Sequence, residues 1–347
     1  MNQRLLAPTL LATISALLAA CGGTHDGVEV GNADATPAKF TYPDGSPQPV
    51  TEWGDPDLQG MWPIMHLFAT RLQRDPKYGE RRYLNEDEWE QAEAVLKKRD
   101  ERYKTEIESN KMGMGHWAEA GDATRRTSLI IDPKNGRLPA MTKLGEERSA
   151  QMKSSWQKID YNTPADFDSW DRCITRGMPA SMFPFHYNNG IEIMQAPGYV
   201  VLRLEMIHEV RIVPLDGRPA LPGNILQWMG SSRGHWEGKT LVIETTNLQP
   251  GPSMLNVGTV GVPPGDKLPV SSKTKITERL TPTGPNTIDY KITVDDPEDY
   301  VAPWTADLPW VRDSSYKMFE YACHEDNDMI RHYIDATKAK HEQQAAK

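Results

Sequence analysis

Ile191-Glu192-Ile193-Met194-Gln195-Ala196-Pro197-Gly198-Tyr199-Val200-Val201-Leu202-Arg203-Leu204-Glu205-Met206 is the stretch that decides the fold of this chain. Apolar and polar residues alternate on either side of a Pro-Gly pair, the pattern of two strands joined by a turn, because successive strand side chains point to opposite faces. In 200–206 the even positions Val200, Leu202, Leu204 and Met206 are apolar, which leaves Val201, Arg203 and Glu205 on the other face. Further strands are read at Val210–Leu215, Leu226–Trp236, Thr240–Thr246, Lys273–Leu280, Thr287–Val294 and Lys317–Cys323, with Thr127–Ile131 a candidate at the start. Glu237-Gly238-Lys239 reads as a tight hairpin and Pro282-Thr283-Gly284-Pro285-Asn286 as another connection. About eight strands with short turns and no helix between neighbours predict an antiparallel meander.

A meander of that size must bury one face and dispose of its edges, and closure into an up-and-down barrel does both. The expected class is mainly β (α+β). The expected architecture is a barrel or strongly twisted meander, lipocalin-like in general shape, with N-terminal helices packed on it and room inside for one small apolar ligand. An open twisted sheet or sandwich is the alternative. Asn85 with Glu88 three residues on marks a helix start, and Trp89, Ala92, Leu96, Tyr103 and Ile107 recur at helical spacing up to Lys111-Met112-Gly113. A second helix is read over Thr142–Ile159, and Asn327 caps a C-terminal helix whose Ile330, Tyr333 and Ile334 face the body. The Gly- and Pro-rich excursion Leu248–Val270 is a candidate lid.

Leu18-Ala19-Ala20-Cys21 closes an apolar run behind Arg4 and reads as a lipobox: a positive n-region, a short apolar segment, small residues and a cysteine. The run falls short of the roughly 20 residues that cross a bilayer. Residues 1–20 are therefore expected to be a signal peptide, with Cys21 lipidated and 21–50 a Gly-, Pro- and Thr-rich tether. Order is expected to begin near Trp53, with a mainly helical 51–160, an antiparallel β domain over 161–325 and a C-terminal helix and tail over 326–347. Gly22 rather than Asp follows the cysteine, which points to the periplasmic face of the outer membrane. The 347 residues carry a net charge of −9. That argues against nucleic acid as a partner and leaves the lipid anchor as the sole hold on a membrane. With Cys21 acylated, Cys173 and Cys323 remain in an oxidising compartment and are expected to pair, closing a loop worth roughly 5 kcal/mol of chain entropy. Two buried free thiols are the alternative.

Gly230-Ser231-Ser232-Arg233-Gly234 matches the G-x-S-x-G elbow of hydrolases, but that motif needs a following helix and here a strand follows. Better acid-base material lies in Glu205, His208 and Arg211. If Ile207–Glu209 turn the chain, Glu205 faces Arg211, either as an ordinary surface ion pair or, at a barrel mouth, as a carboxylate, an imidazole and a cation for catalysis. His324 and Glu325 stand at the end of the last expected strand, pinned by the expected disulfide. Local turn and cap bonding is the simpler reading of both. Arg233, Trp236 and Trp304 are candidate ligand contacts, Trp304 by closing over the ligand. No H-x-H, H-E-x-x-H or C-x-x-C spacing suggests a metal, and no phosphate loop, Rossmann fingerprint or haem motif suggests a cofactor.

Thr127-Ser128-Leu129-Ile130-Ile131-Asp132-Pro133 with Gly136-Arg137, Arg172-Cys173, Tyr187-Asn188-Asn189, Trp236-Glu237-Gly238-Lys239-Thr240-Leu241-Val242-Ile243-Glu244-Thr245-Thr246-Asn247 and Glu320-Tyr321-Ala322-Cys323-His324-Glu325 carry a resemblance. With these motifs, spread over most of the chain, it resembles a large family of exported bacterial proteins of unknown function. The resemblance implies export and a common fold and transfers no activity. Two positions depart from its pattern: Ala220 stands where His is expected after Gly217-Arg218-Pro219, and Asp326 where Gly is expected. Taken together, the sequence predicts a lipid-anchored periplasmic protein that binds an apolar small molecule. Any catalysis would be cofactor-independent acid-base chemistry of the isomerase, lyase or hydratase kind. The competing expectation is a non-catalytic envelope protein that meets a protein partner of unknown identity through the helix Glu86–Asn110.

Overall fold

The computed structural model describes residues 40–346 other than 120, 122–123, 154, 156–157 and 251–267. The expected signal peptide, Cys21, most of the tether and most of the lid therefore lie outside the described residues. Along the chain run β1 (Gly60–Met61), α1 (Glu86–Glu108), β2 (Ile130–Asp132), α2 (Lys143–Gln151), β3 (Ile191–Ala196), β4 (Tyr199–Leu204) and β5 (Val210–Pro214). They are followed by β6 (Ser231–Glu237), β7 (Thr240–Thr246), β8 (Lys275–Gly284), β9 (Thr287–Asp295), β10 (Trp304–Asp307), β11 (Trp310–Val311) and α3 (Met329–Ala345).

The opening stretch forms the hairpin that its alternation predicts. Ile191 pairs with Leu204 and Ile193 with Leu202, so both strands turn their aliphatic residues to one face. Pro197 holds a negative φ at the first turn position and Gly198 takes φ +77°, a value glycine adopts without steric cost. The Glu237–Thr240 hairpin likewise joins β6 to β7.

The meander does not close. It splits into a sheet of order β1-β3-β4-β5 and a sheet of order β2-β10-β9-β8-β7-β6, with β11 also on β9; all these pairs are antiparallel. The expected barrel is thus corrected to two open sheets in a β-rich α+β fold. The break falls between β5 and β6, where Gly217, Pro219, Pro222 and Gly223 interrupt any hairpin and no ladder joins the two strands among the described residues. The strands still approach closely: a Cβ on Gly234 would lie 2.7 Å from Leu215 and 2.8 Å from Val213. Both sheets feed one core, Ile191, Ile193, Val200 and Leu202 from the first and Ile243, Ile276, Leu280, Tyr290 and Ile292 from the second. Core side chains from both sheets meet where a barrel would have enclosed a ligand.

Other boundaries move as well. Packing begins by Tyr42, which is buried, ahead of Trp53. The strand expected from Leu226 starts only at Ser231, and Lys317–Cys323 forms no strand because its backbone is bonded to the Glu205 and His208 side chains instead. The second helix stops at Gln151 instead of Ile159. Helix α1 has the expected cap, Asn85 Oδ1 accepting from Glu88 N and Glu88 returning the bond to Asn85 N, both at 2.9 Å. It buries no residue fully, so it lies on the body through a half-buried stripe that includes Trp89, Leu96 and Tyr103.

Candidate functional site

The site is built on the turn 166–176. Asp168 and Asp171 cap each other: Asp171 N donates to Asp168 Oδ1 at 2.7 Å, and Asp168 N to Asp171 Oδ2 at 3.3 Å. Cys173 leaves that turn at φ +57° and forms the disulfide to Cys323, with Cα atoms 5.6 Å apart across a separation of 150 residues. The bridge brings the segment 316–327 onto the turn, and Asn327 Nδ2 donates to the Asp171 carbonyl at 3.1 Å.

Two sequence candidates secure the same segment from its other side. Glu205 is buried and accepts from Tyr316 Oη at 2.5 Å, Phe319 N at 2.8 Å and Gly190 N at 3.0 Å. His208 is exposed and bonds through Nδ1 to the Tyr321 carbonyl at 2.9 Å. Between the turn and the segment opens a groove of about 500 Å3, with Trp170, Tyr187 and Tyr321 as its aromatic surface, Asp171, Glu320 and Glu325 as its acids, and Cys323 at its wall. The aromatic layer continues inward, since Trp170 and Tyr187 set their edges against Phe185 at 4.7 and 4.9 Å between centroids.

Burial, with the Asp171 carboxylate adding to it, pushes the Asp168 carboxyl up to about 7. Its Oδ2 is buried without a hydrogen-bond partner among the described residues. Burial also raises Glu119, which accepts from Asn188 N at 2.6 Å and Asn189 Nδ2 at 2.8 Å, and it raises the Tyr187 hydroxyl. The backbone is strained around the same groove. Cys173, Asn188, Ile207, His208 and Asp326 all hold φ between +44° and +57°. For Ile207, branched at Cβ, this is a true outlier. Asp326 holds φ +53°, a left-handed conformation that glycine adopts without steric cost and Asp tolerates.

The expected trio is not brought together. Glu205 does not face Arg211; the one-turn connection aims Glu205 at 316–319, while Arg211 points between the sheets. There Arg211 NH1 and NH2 meet Glu278 at 2.9 and 2.5 Å, Tyr290 Oη donates to Glu278 at 2.7 Å, and Ser232 and Thr245 hydroxyls complete the shell. Burial opposes the charge on Arg211, but the Glu278 carboxylate outweighs it and the guanidinium pKa is raised. Of the remaining candidates, Glu325 lines the groove and His324 is exposed beside it. Arg233 lies on β6 and donates to the Pro219 and Ser232 carbonyls, and Trp236 packs at the core margin. Trp304 is a fully buried core residue of β10, so it closes over nothing.

The sequence reading missed Glu278, Asp168, Trp170 and Arg176. Glu278 had a signal, because it falls between Ile276 and Leu280 in the apolar register of β8. Asp168-Ser169-Trp170-Asp171 beside Cys173 was the corresponding signal for the groove. Among the described residues no three His, Cys, Asp or Glu side chains are placed to hold a metal ion, and no helix is long and apolar enough to cross a membrane. Comparison with protein-family models, with curated proteins and with solved structures gives no match.

Proposed function

We propose that the groove at the disulfide binds a small organic molecule with a flat apolar body. The observation that carries this reading is the coincidence, at one place, of an aromatic surface, a carboxyl raised toward neutrality and five left-handed non-glycine residues. Strained backbone costs about 1–3 kcal/mol per residue and persists where the surroundings serve a site. Aromatic lining with a few fixed polar groups is the usual make-up of small-molecule pockets. Asp168, poised near neutral pH behind Asp171, supplies the acid-base group if the bound molecule is turned over, a role the sequence reading gave to His208 and His324. The export signal, the anchor at Cys21 and kinship with exported bacterial proteins are part of the same proposal and rest on the Leu18-Ala19-Ala20-Cys21 and 320–325 motifs.

The test is thermal unfolding of the full chain against a panel of aromatic, terpenoid and fatty-acid compounds. A binder present at a hundred times its dissociation constant contributes about 2.7 kcal/mol. At least one compound is expected to raise Tm by several degrees in the wild type and to lose that effect in Trp170→Ala and in Tyr187→Phe/Tyr321→Ala, with the far-ultraviolet dichroism of the variants unchanged. A panel without effect, or shifts that survive both variants, refutes the groove.

A further inference from the structure

Arg176 is only 5% exposed, and among the described residues its charge has no counter-ion. Its NH1 donates to the Phe183 carbonyl at 3.1 Å and its Cζ lies 5.0 Å from the centroid of the Phe185 ring, while Nε and NH2 have no hydrogen-bond partner. The other buried arginines are better served: Arg211 has Glu278, and Arg74 has the Gly79 and Lys134 carbonyls. Burial of an unpaired charge is costly, so a guanidinium kept in this state is waiting for a partner or is a defect.

The position of Arg176 favours a partner. Phe185, on which it stacks, is the ring that takes the edges of Trp170 and Tyr187, so the guanidinium lies one aromatic layer beneath the groove. Burial lowers its pKa to about 10, and the groups that pull it back up are Tyr187 and Tyr321. At neutral pH it is therefore a cation directly behind two residues that line the groove. The two nitrogens without a partner among the described residues, Nε and NH2, lie on one of the two edges of the guanidinium that can match the two oxygens of a carboxylate.

We propose that Arg176 is the anion anchor of the groove and that the ligand is an aromatic or alicyclic monocarboxylate. The inference rests on the groove reading above. The ring lies against Trp170, the carboxylate passes between Tyr187 and Tyr321, and its two oxygens accept from Nε and NH2. Asp171, Glu320 and Glu325 at the rim repel any anion, a dianion more strongly than a monoanion, so the single carboxylate that Arg176 can pair is favoured over two.

Three probes of one skeleton, trans-cinnamate, cinnamamide and cinnamyl alcohol, separate the two claims when titrated calorimetrically into the full chain. The wild type is expected to bind the acid about tenfold or more tightly than the amide or the alcohol, as a charge-assisted pair requires. Arg176→Met is expected to bind all three alike. Equal affinity of the wild type for acid and amide overturns the anchor and leaves the groove standing. Failure of all three to bind at millimolar concentration overturns both. Should Arg176→Met not fold, the acid-to-amide ratio of the wild type decides alone.

Discussion

Asp168 is the residue whose ionisation bears most directly on the groove. Its carboxyl is held by burial, and by Asp171, up to about 7, against an ordinary value near 3.8. Below about pH 4 folded and unfolded chains both hold this proton. As pH rises through the interval to about 7, the unfolded chain releases it first, so this group lowers stability by up to roughly 1.4 kcal/mol per pH unit, and the loss levels off above the folded value. Asp168→Asn cannot ionise and keeps an oxygen to accept from Asp171 N. Its advantage over the wild type in urea unfolding is expected to be small at pH 4 and to grow up to about pH 7.5. A difference that does not change with pH would show that Asp168 is charged in the fold.

At the scale of elements, β5 and β8 each carry one charged residue in an apolar register, and the two meet between the sheets. Val210 and Ile212 of β5 face solvent while Arg211 and Val213 face in, so the strand is turned opposite to its charge pattern. Arg211–Glu278 has to be broken on both sides or not at all. Arg211→Met leaves a carboxylate buried without its partner and is expected to cost about 3–5 kcal/mol. Arg211→Met/Glu278→Gln removes both charges and leaves Tyr290 an acceptor, and it is expected to recover most of that loss in urea unfolding. A double variant no more stable than the single one would mean that the cost comes from lost packing between the sheets. Helix α1 illustrates the converse: its capping box and its dense charge form it locally while it contributes no fully buried side chain.

At the scale of the molecule, the proposed anchor at Cys21 is tested apart from the core described above, which draws on residues from Leu58 to Trp310. Cys21→Ser is expected to abolish incorporation of labelled palmitate in the producing cell and to leave the Tm of the purified chain unchanged. Label that persists in the variant, or is absent from the wild type, removes the lipid anchor. The disulfide acts at this scale too, since it joins 173 to 323 and draws 316–327 across the turn 166–176, so that the groove exists only once the fold has closed a loop of 150 residues. What the sequence by itself determined was local: the β3–β4 hairpin from its alternation and Pro197-Gly198, the cap of α1 from Asn85 and Glu88, and the pairing of Cys173 with Cys323, the two cysteines that remain when Cys21 is set aside. Each depends on backbone sterics or on spacings of a few residues, or on simple counting. Only the tertiary structure decided that the meander stays open after β5, that Arg211 seeks Glu278 rather than Glu205, and that Trp170, Tyr187 and Tyr321 share a groove above Arg176. Those outcomes turn on which distant segments exclude water from one another, and residues 67 or 151 positions apart carry no mark of that in their order along the chain.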